Sequence, residues 1–317
     1  MTDSALNQEP VYAVLLEKRI FEPQNITPFW SLLWSWLKFI AQERAEAGVG
    51  DCRFYLNTTG RDVDPVLPAA VMDQAKRGVL AGVLGVGQDG TTHVWLAERG
   101  IPYVAHAAYS FWTVGLDPLE CPRVAIEELA QQGCKRVAIW SSHAPGRPIY
   151  HLQSPEHNRY LRELFARYDL LYDESMFLPD EDLGGRFAFA GGTNQAQGYR
   201  MAIEGLTNPN RPRPDAVFST DDLVTNGILL ALTRMRLQAG VDLKIATLSI
   251  KDSPTLYGRS SELILVELDP ERVAREMFAL LDRLREPSPP AVVQRLIVPR
   301  AIVPVSTELD LSDEDFA

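Results

Sequence analysis

The chain has 317 residues, 46% of them hydrophobic and 23% charged, which fits a globular protein long enough for two domains and excludes a disordered or fibrous one. Its formal net charge is −11, partly from an acidic tail in which Glu308, Asp310, Asp313, Glu314 and Asp315 meet no Lys or Arg; such a surface repels phosphate backbones and argues against nucleic-acid binding by the chain itself. The three cysteines have no CxxC or metal spacing, the N-terminus has no apolar leader, and the run Phe29–Ile40 is too short to span a bilayer, so the sequence reads as a soluble cytoplasmic protein with no membrane partner.

In chain order, short β-rich runs alternate with helical segments. Val11–Leu16 (VYAVLL) is apolar without alternation, the pattern of a strand buried on both faces. Thr27-Pro28 starts a helix that runs to about Ala47 and stops at Gly48. Arg53–Asn57 is a strand, Pro68–Arg77 a helix, Val79–Val86 a strand, Thr92–Arg99 a short helix and Pro102–Ala108 a strand. Tyr109–Gly115 interrupts this rhythm, and a second series follows: helices over Pro122–Gln132, His157–Tyr168, Asn194–Leu206 and Leu223–Arg236, and strands over Arg136–Ser141, Ser175–Leu178, Ala216–Ser219 and Lys244–Ile250. Leu263–Glu267 is a strand, Pro270–Arg285 a helix broken by the prolines at 287–290, and Val292–Val305 an extended run that must rejoin a sheet already built. Strand-helix alternation of this kind predicts parallel sheets with helices on both faces.

Open α/β sheets bind ligands at the carboxyl ends of their strands, and the candidate residues are taken from there. Phe29 and Trp30 open the first helix at that edge, where they either stack on a ligand or pack in the core, while Trp34 and Trp36 read as packing residues. Asn57, Thr58 and Thr59 follow the second strand, where they either bond the local backbone in a turn or reach a ligand, and His106 ends the fourth, either as a satisfied core histidine or as a ligand contact. Pro214-Asp215 launches a buried strand that closes on Thr220-Asp221-Asp222; Asp222 is expected to cap the next helix, leaving Asp221 free for a hydroxyl-bearing ligand, and Gly227 is expected to let that helix approach the sheet. Gly85–Gly90 spells G-x-G-x-x-G, but the helix after it has about two turns, and the acidic residue that the dinucleotide fingerprint needs about 20 residues on is missing. No NAD or other cofactor is expected; Gly87 and Gln88 remain candidates for touching a ligand directly. His143, His151 and His157 lack metal-site spacing, and no nucleophile elbow or Cys/His constellation points to catalysis.

The segment Gly198–Leu232 resembles the sensor domain of the lactose/galactose-repressor (LacI/GalR) family through Gly198, Tyr199, Pro214, Ala216, Val217, Phe218, Asp222 and Gly227, with Asp221 at the family's Asn. Pro28-Phe29-Trp30, Gly100–Val104, Ala125–Val137, Asp269–Arg285 and Arg295–Thr307 extend the resemblance over nearly the whole chain. It implies a type I periplasmic-binding-protein-like fold: two doubly wound parallel-sheet subdomains, 10–110 plus 264–290 and 111–253 plus 296–307, with flexible termini at 1–9 and 308–317. Three crossover strands would join them near Tyr109–Thr113, Pro254–Leu263 and Pro287–Arg295, around a cleft that closes on a small polar effector, a sugar or sugar derivative. The expected contacts are Phe29, Trp30, Asn57, Thr58, Gln88, His106, His143, His157, Arg159, Asn194, Phe218, Asp221, Lys251 and Asp252. Ile250, Lys251 or Asp252, depending on the gap, falls where the family places an Asp, and the family's Arg falls near His157, with Arg159 as the alternative. The family's helix-turn-helix is not seen, because the first sheet strand begins near Val11; DNA contact by a homodimer would need that module. A transport receptor of the same fold is the alternative, and an enzyme a more distant one.

Overall fold

The computed structural model describes residues 10–21, 27–57, 67–88, 91–108, 110–141, 155–179, 193–291 and 293–303. Two compact units divide the chain, Met1–Asp117 with Asp269–Val298 and Pro118–Leu268 with Pro299–Ala317.

The first unit holds β1 (Val11–Glu17), α1 (Pro28–Glu46), β2 (Asp51–Asn57), α2 (Ala69–Lys76), β3 (Leu80–Val86), α3 (Thr92–Ala97), β4 (Tyr103–His106) and β5 (Trp112–Leu116). Its sheet takes the order β11-β5-β4-β3-β1-β2, every neighbour parallel, with β11 being Val293–Ile297. The apolar run of β1 is buried because strands flank it on both edges and helices cover both faces. On one face Ala13, Leu15, Val71, Val83, Leu96 and Tyr103 form a cluster under α2 and α3. On the other lie α1 and α8 (Pro270–Arg283), each with a buried apolar stripe, Phe29, Trp30, Leu33, Leu37 and Ile40 on α1 and Val273, Met277, Phe278 and Leu281 on α8. The Arg44 guanidinium joins them. It grips both carboxylate oxygens of Asp282 at 2.7 Å and lies 5.4 Å from the ring of Tyr12 and 5.0 Å from that of Phe278. Trp34 packs edge-on between Phe21 and Phe54, as its helix position predicts.

The second unit repeats the plan with α4 (Glu120–Gln131), β6 (Val137–Ser141), α5 (Pro155–Arg167), β7 (Leu178–Pro179), α6 (Asn194–Thr207), β8 (Ala216–Ser219), α7 (Asp222–Met235), β9 (Lys244–Ile250), β10 (Ile264–Leu268) and β12 (Arg300–Ile302). The order β12-β10-β9-β8-β6-β7 mirrors that of the first sheet, except that β12 runs antiparallel to β10. Helices α6 and α7 cross at a pair of glycines. A Cβ on Gly198 would stand 1.9 Å from the Val224 carbonyl oxygen, and one on Gly227 1.9 Å from that of Gln195. Gly227 therefore serves a helix–helix contact, not the helix–sheet contact expected from the sequence.

Other expectations also need correction. Residues Glu174–Met176 form a 3-10 turn ahead of the short strand β7, where a strand over Ser175–Leu178 is expected. The chain passes between units after Asp117, Leu268 and Val298, later than expected each time. Thus β5 belongs to the first sheet, whereas Ile264–Leu268, expected in the first subdomain, pairs with Ala246–Ile250 of β9 in the second. The apolar run at 264–268 marks a strand, but which sheet takes it depends on long-range pairing.

Candidate functional site

Both sheets carry the same switch in strand order, at β1/β3 in the first and at β6/β8 in the second. Ligand crevices of open parallel sheets open outside the carboxyl ends of the strands at such points.

In the first unit the strand ends bring Asn57, Gln88, His106, Phe29 and Trp30 to this edge. Asn57 Nδ2 donates to Gln88 Oε1 at 2.9 Å, and both side chains are buried. His106 is only 4% exposed, with its Nδ1 2.8 Å from the Val114 carbonyl oxygen. A carbonyl can only accept, so Nδ1 carries the hydrogen and Nε2 is left as the lone-pair nitrogen. Burial pushes this imidazole down to about 4, which keeps it neutral. The rings of Phe29 and Trp30 are buried and pack with their centroids 5.6 and 5.8 Å from its own. Just past His106, Ala107 adopts φ 51, a left-handed conformation that costs a non-glycine residue on the order of 1–3 kcal/mol and is typical of functional edges. Glu17, not among the expected contacts, closes β1 opposite Asn57 and is 3% exposed, its Oε1 accepting from Arg19 N and Nε at 3.2 and 3.1 Å. Its one signal in the sequence is a charge closing an otherwise apolar run.

The described glycines of the G-x-G-x-x-G segment have packing roles. A Cβ on Gly85 would lie 2.1 Å from the Tyr103 hydroxyl, so this position makes room for a ring from the neighbouring strand. Gly87 turns with φ 65 and would meet Ile20 at 2.5 Å if it carried a side chain. Gly90 lies outside the described residues.

In the second unit the roles expected for the two aspartates are exchanged. Asp221 is the cap of α7, its Oδ1 accepting from the Leu223 and Val224 amides at 2.8 and 3.2 Å. Asp222 is the first helical residue and is 3% exposed, and Ser253 Oγ donates to its Oδ2 at 3.1 Å. Burial, and next the charge of Asp221, push the Asp222 carboxyl up to about 7. Asn194 Nδ2 donates to Asp221 Oδ2 at 3.1 Å, linking the starts of α6 and α7. Hydroxyls also pair in this unit: Thr220 Oγ1, just past β8, donates to Ser141 Oγ at the end of β6 at 3.0 Å, and Thr225 of α7 meets Thr247 of β9 at 2.6 Å.

The remaining expected contacts fare differently. Phe218 is 1% exposed inside β8 and presents no surface to a ligand, because its strand is covered on both sides. Lys251 is half-buried just past β9, with its amide bonded to the Leu268 carbonyl at 2.9 Å. Asp252 is exposed with φ 64, and Arg159 is exposed on α5. Thr58, Thr59, His143 and His151 lie outside the described residues, as does the side chain of His157. Among the described residues no group of His, Cys, Asp and Glu side chains could hold a metal ion, and no helix is long and apolar enough to cross a membrane.

A model of the periplasmic binding protein-like domain matches residues 126–307. No curated protein sequence matches the chain. Among solved structures, a regulatory protein of the LacI family from Chloroflexus aggregans superposes with a TM-score of 0.70 at 19% identity, covering 93% of this chain and 98% of that one. The transcription regulator CcpA of Lactococcus lactis gives 0.64 at 14% identity, over 93% and 98% of the two chains. The transcriptional regulator CelR in complex with cellobiose gives 0.62 at 19% identity, over 92% and 83%. At these identities the likeness concerns the fold.

Proposed function

The chain belongs to the periplasmic binding protein-like domain family, and from that premise we propose that it is the effector-sensing and dimerising core of a LacI/GalR-like transcription regulator acting in the cytoplasm. The carrying observation is that fold likeness to a LacI-family regulator extends over 93% of the chain. The ligand is a small polar molecule, most simply a sugar or sugar derivative. Hydrogen-bonding side chains gathered at the carboxyl edge of each sheet support this, His106 and Gln88 in the first and Asn194, Asp221, Asp222 and Lys251 in the second. The cellobiose bound by a structural neighbour points the same way. The chain works by binding rather than by turnover, and DNA contact falls to a helix-turn-helix module joined to it.

A homodimer is part of this reading. Phe39 on α1 is 53% exposed and Leu56 on the edge strand β2 is 57% exposed, apolar surface of the kind that protein partners cover. Thermal shift against neutral sugars, sugar acids, sugar phosphates and purines tests the ligand class, because a ligand selective for the folded state raises the melting temperature. Gel filtration tests the dimer. If no compound in the panel stabilises the protein, the effector reading is abandoned.

A further inference from the structure

We propose that the turn after β9 is a pH-sensitive latch at the carboxyl edge of the second sheet: Ser253 holds it to the first turn of α7 through Asp222, and ionisation of Asp222 releases it. What the latch does for ligand binding rests on the effector reading above; the latch itself does not.

The turn needs a holding contact. Ser253 N donates to the Ile250 carbonyl oxygen at 3.0 Å, closing a tight turn over Lys251 and Asp252. Asp252 takes the third position with φ 64, in the left-handed region that favours glycine. Ser253 then caps the 3-10 turn Pro254–Leu256, and its hydroxyl donates to Asp222 Oδ2 at 3.1 Å and meets Thr255 Oγ1 at 2.9 Å. Leu256 is buried in the core of the unit, which anchors that end and confines release to 251–255. This segment carries Lys251 and Asp252, both expected to contact the ligand.

Asp222 is 3% exposed, with Ser253 and Thr255 of the turn against its carboxyl. Charged groups on the elements packed around it are few. Asp221 precedes it. On α6 stand Arg200 and Glu204, the latter engaged by Asn208 and Arg211 toward the end of that helix. Strand β8 has no charged residue, β9 has Lys244 at its far end, and the turn has Lys251 and Asp252. Of these charges Asp221 acts most on the carboxyl, and it opposes ionisation. Burial and Asp221 together outweigh the hydrogen bonds from Ser253, Thr255 and the Leu223 amide, and the carboxyl is pushed up to about 7. Lifting the turn lets water reach it, so it falls back toward its ordinary 3.8. A group that ionises more readily in the released state drives release as pH rises. Between about pH 5.5 and about pH 8 the released fraction should grow about ten-fold and then level off.

Amide hydrogen exchange by NMR on the whole chain, corrected for the intrinsic pH dependence of exchange, tests this without a ligand. Protection of the Ser253 and Thr255 amides should fall about ten-fold over that range, and the Asp222 carboxyl ¹³C resonance should titrate near 7. Asp222→Asn should keep the protection constant with pH. Ser253→Ala should lose protection at Thr255 already at about pH 5.5, which keeps the test decisive if the first variant fails to fold. A carboxyl that titrates near 3.8, protection that stays flat or rises with pH, or exchange in step with the Ile245 and Ala246 amides of β9, which would mean unfolding, overturns the latch. The uncharged probes D-glucose, D-ribose and cellobiose test the link to the effector. One that binds, present at about 100 times its Kd, should restore protection at about pH 8 by at least about ten-fold. A sugar that binds and leaves protection unchanged overturns that link, whereas failure of every sugar to bind counts against the effector reading and leaves the latch to stand or fall on exchange.

Discussion

Ser253 Oγ donates to Asp222 Oδ2 at 3.1 Å, tying the first turn of α7 to the 3-10 turn Pro254–Leu256 that follows β9. Asp222 is 3% exposed and has no ion pair among the described residues, while Asp221 stands next to it in the chain. The protonated form is therefore favoured in the folded state, with the carboxyl pushed up to about 7 from its ordinary 3.8. A raised carboxyl contributes stability fully below the ordinary value, and that contribution is lost as pH rises through the folded value. Stability should thus fall from about pH 4 to about pH 7 and level off by pH 8.5, by at most about 1.4 kcal/mol per pH unit from this group. Asp222→Asn imitates the protonated form. In melts across that range it should flatten the decline and be more stable than the unaltered protein at pH 8.5. An identical slope in both proteins would remove Asp222 as the cause.

Asp221 carries a different load. Its Oδ1 caps two orphan amides of α7, and its Oδ2 receives Asn194. Asp221→Ala should cost about 1–2 kcal/mol in urea unfolding, the usual worth of such a cap. Asp221→Asn should recover most of it, because an amide oxygen still accepts from the helix amides. Asp221→Ala should also release Asn194, so in the effector reading it weakens ligand binding as well as folding. A loss of stability no greater for Ala than for Asn would mean that the cap contributes little.

These two neighbours show what the sequence could reveal and what it could not. Strand runs such as Val11–Leu16 and Ala216–Ser219 are legible because burial on both faces demands continuous apolar side chains. That a helix starts at Asp221-Asp222 is equally legible. Which of the two caps it depends on a single-residue shift in backbone dihedrals, and both side chains are chemically suited to the task. Ser253, the partner that separates their roles, lies 31 positions from Asp222. His106 was legible by position, at the end of a strand, whereas its polarity depends on the carbonyl of Val114 in the next strand. Glu17 was missed because a lone charge after an apolar run ordinarily marks the edge of a strand. The placement of β10 in the second sheet likewise depended on pairing that local pattern does not encode.

The glycines at the α6–α7 crossing are expected to be intolerant. A methyl on Gly198 or on Gly227 would approach a backbone carbonyl oxygen to 1.9 Å, and backbone cannot swing aside as a side-chain tip can. Gly198→Ala and Gly227→Ala should each destabilise by about 3 kcal/mol or more, since the helices must part to admit the methyl. The two losses should be strongly non-additive. Once one substitution has separated the helices, the second meets less resistance. Chemical denaturation of the single and double variants measures this, and additive losses would mean that each glycine is accommodated independently.

Gly85 and Tyr103 offer a sharper test of why a G-x-G pattern stands at the end of β3. The Tyr103 hydroxyl is buried with no hydrogen-bond partner among the described residues, and it occupies the space where a Cβ on Gly85 would fall, 2.1 Å away. Removing an unsatisfied buried hydroxyl costs no hydrogen bond, so Tyr103→Phe should be neutral or stabilising by about 1 kcal/mol. Gly85→Ala in the native background should destabilise by about 1–3 kcal/mol, because the ring must shift within a packed layer. Combined with Tyr103→Phe the penalty should shrink, though not vanish, since ring carbons of Tyr103 also stand 2.6 Å from that Cβ. A coupling energy of about 0.5–2 kcal/mol in the double-mutant cycle would place Gly85, the first glycine of the pattern, in the service of sheet packing. A cycle with no coupling would return the question to the ligand edge, where Gly87 and Gln88 follow directly along the chain.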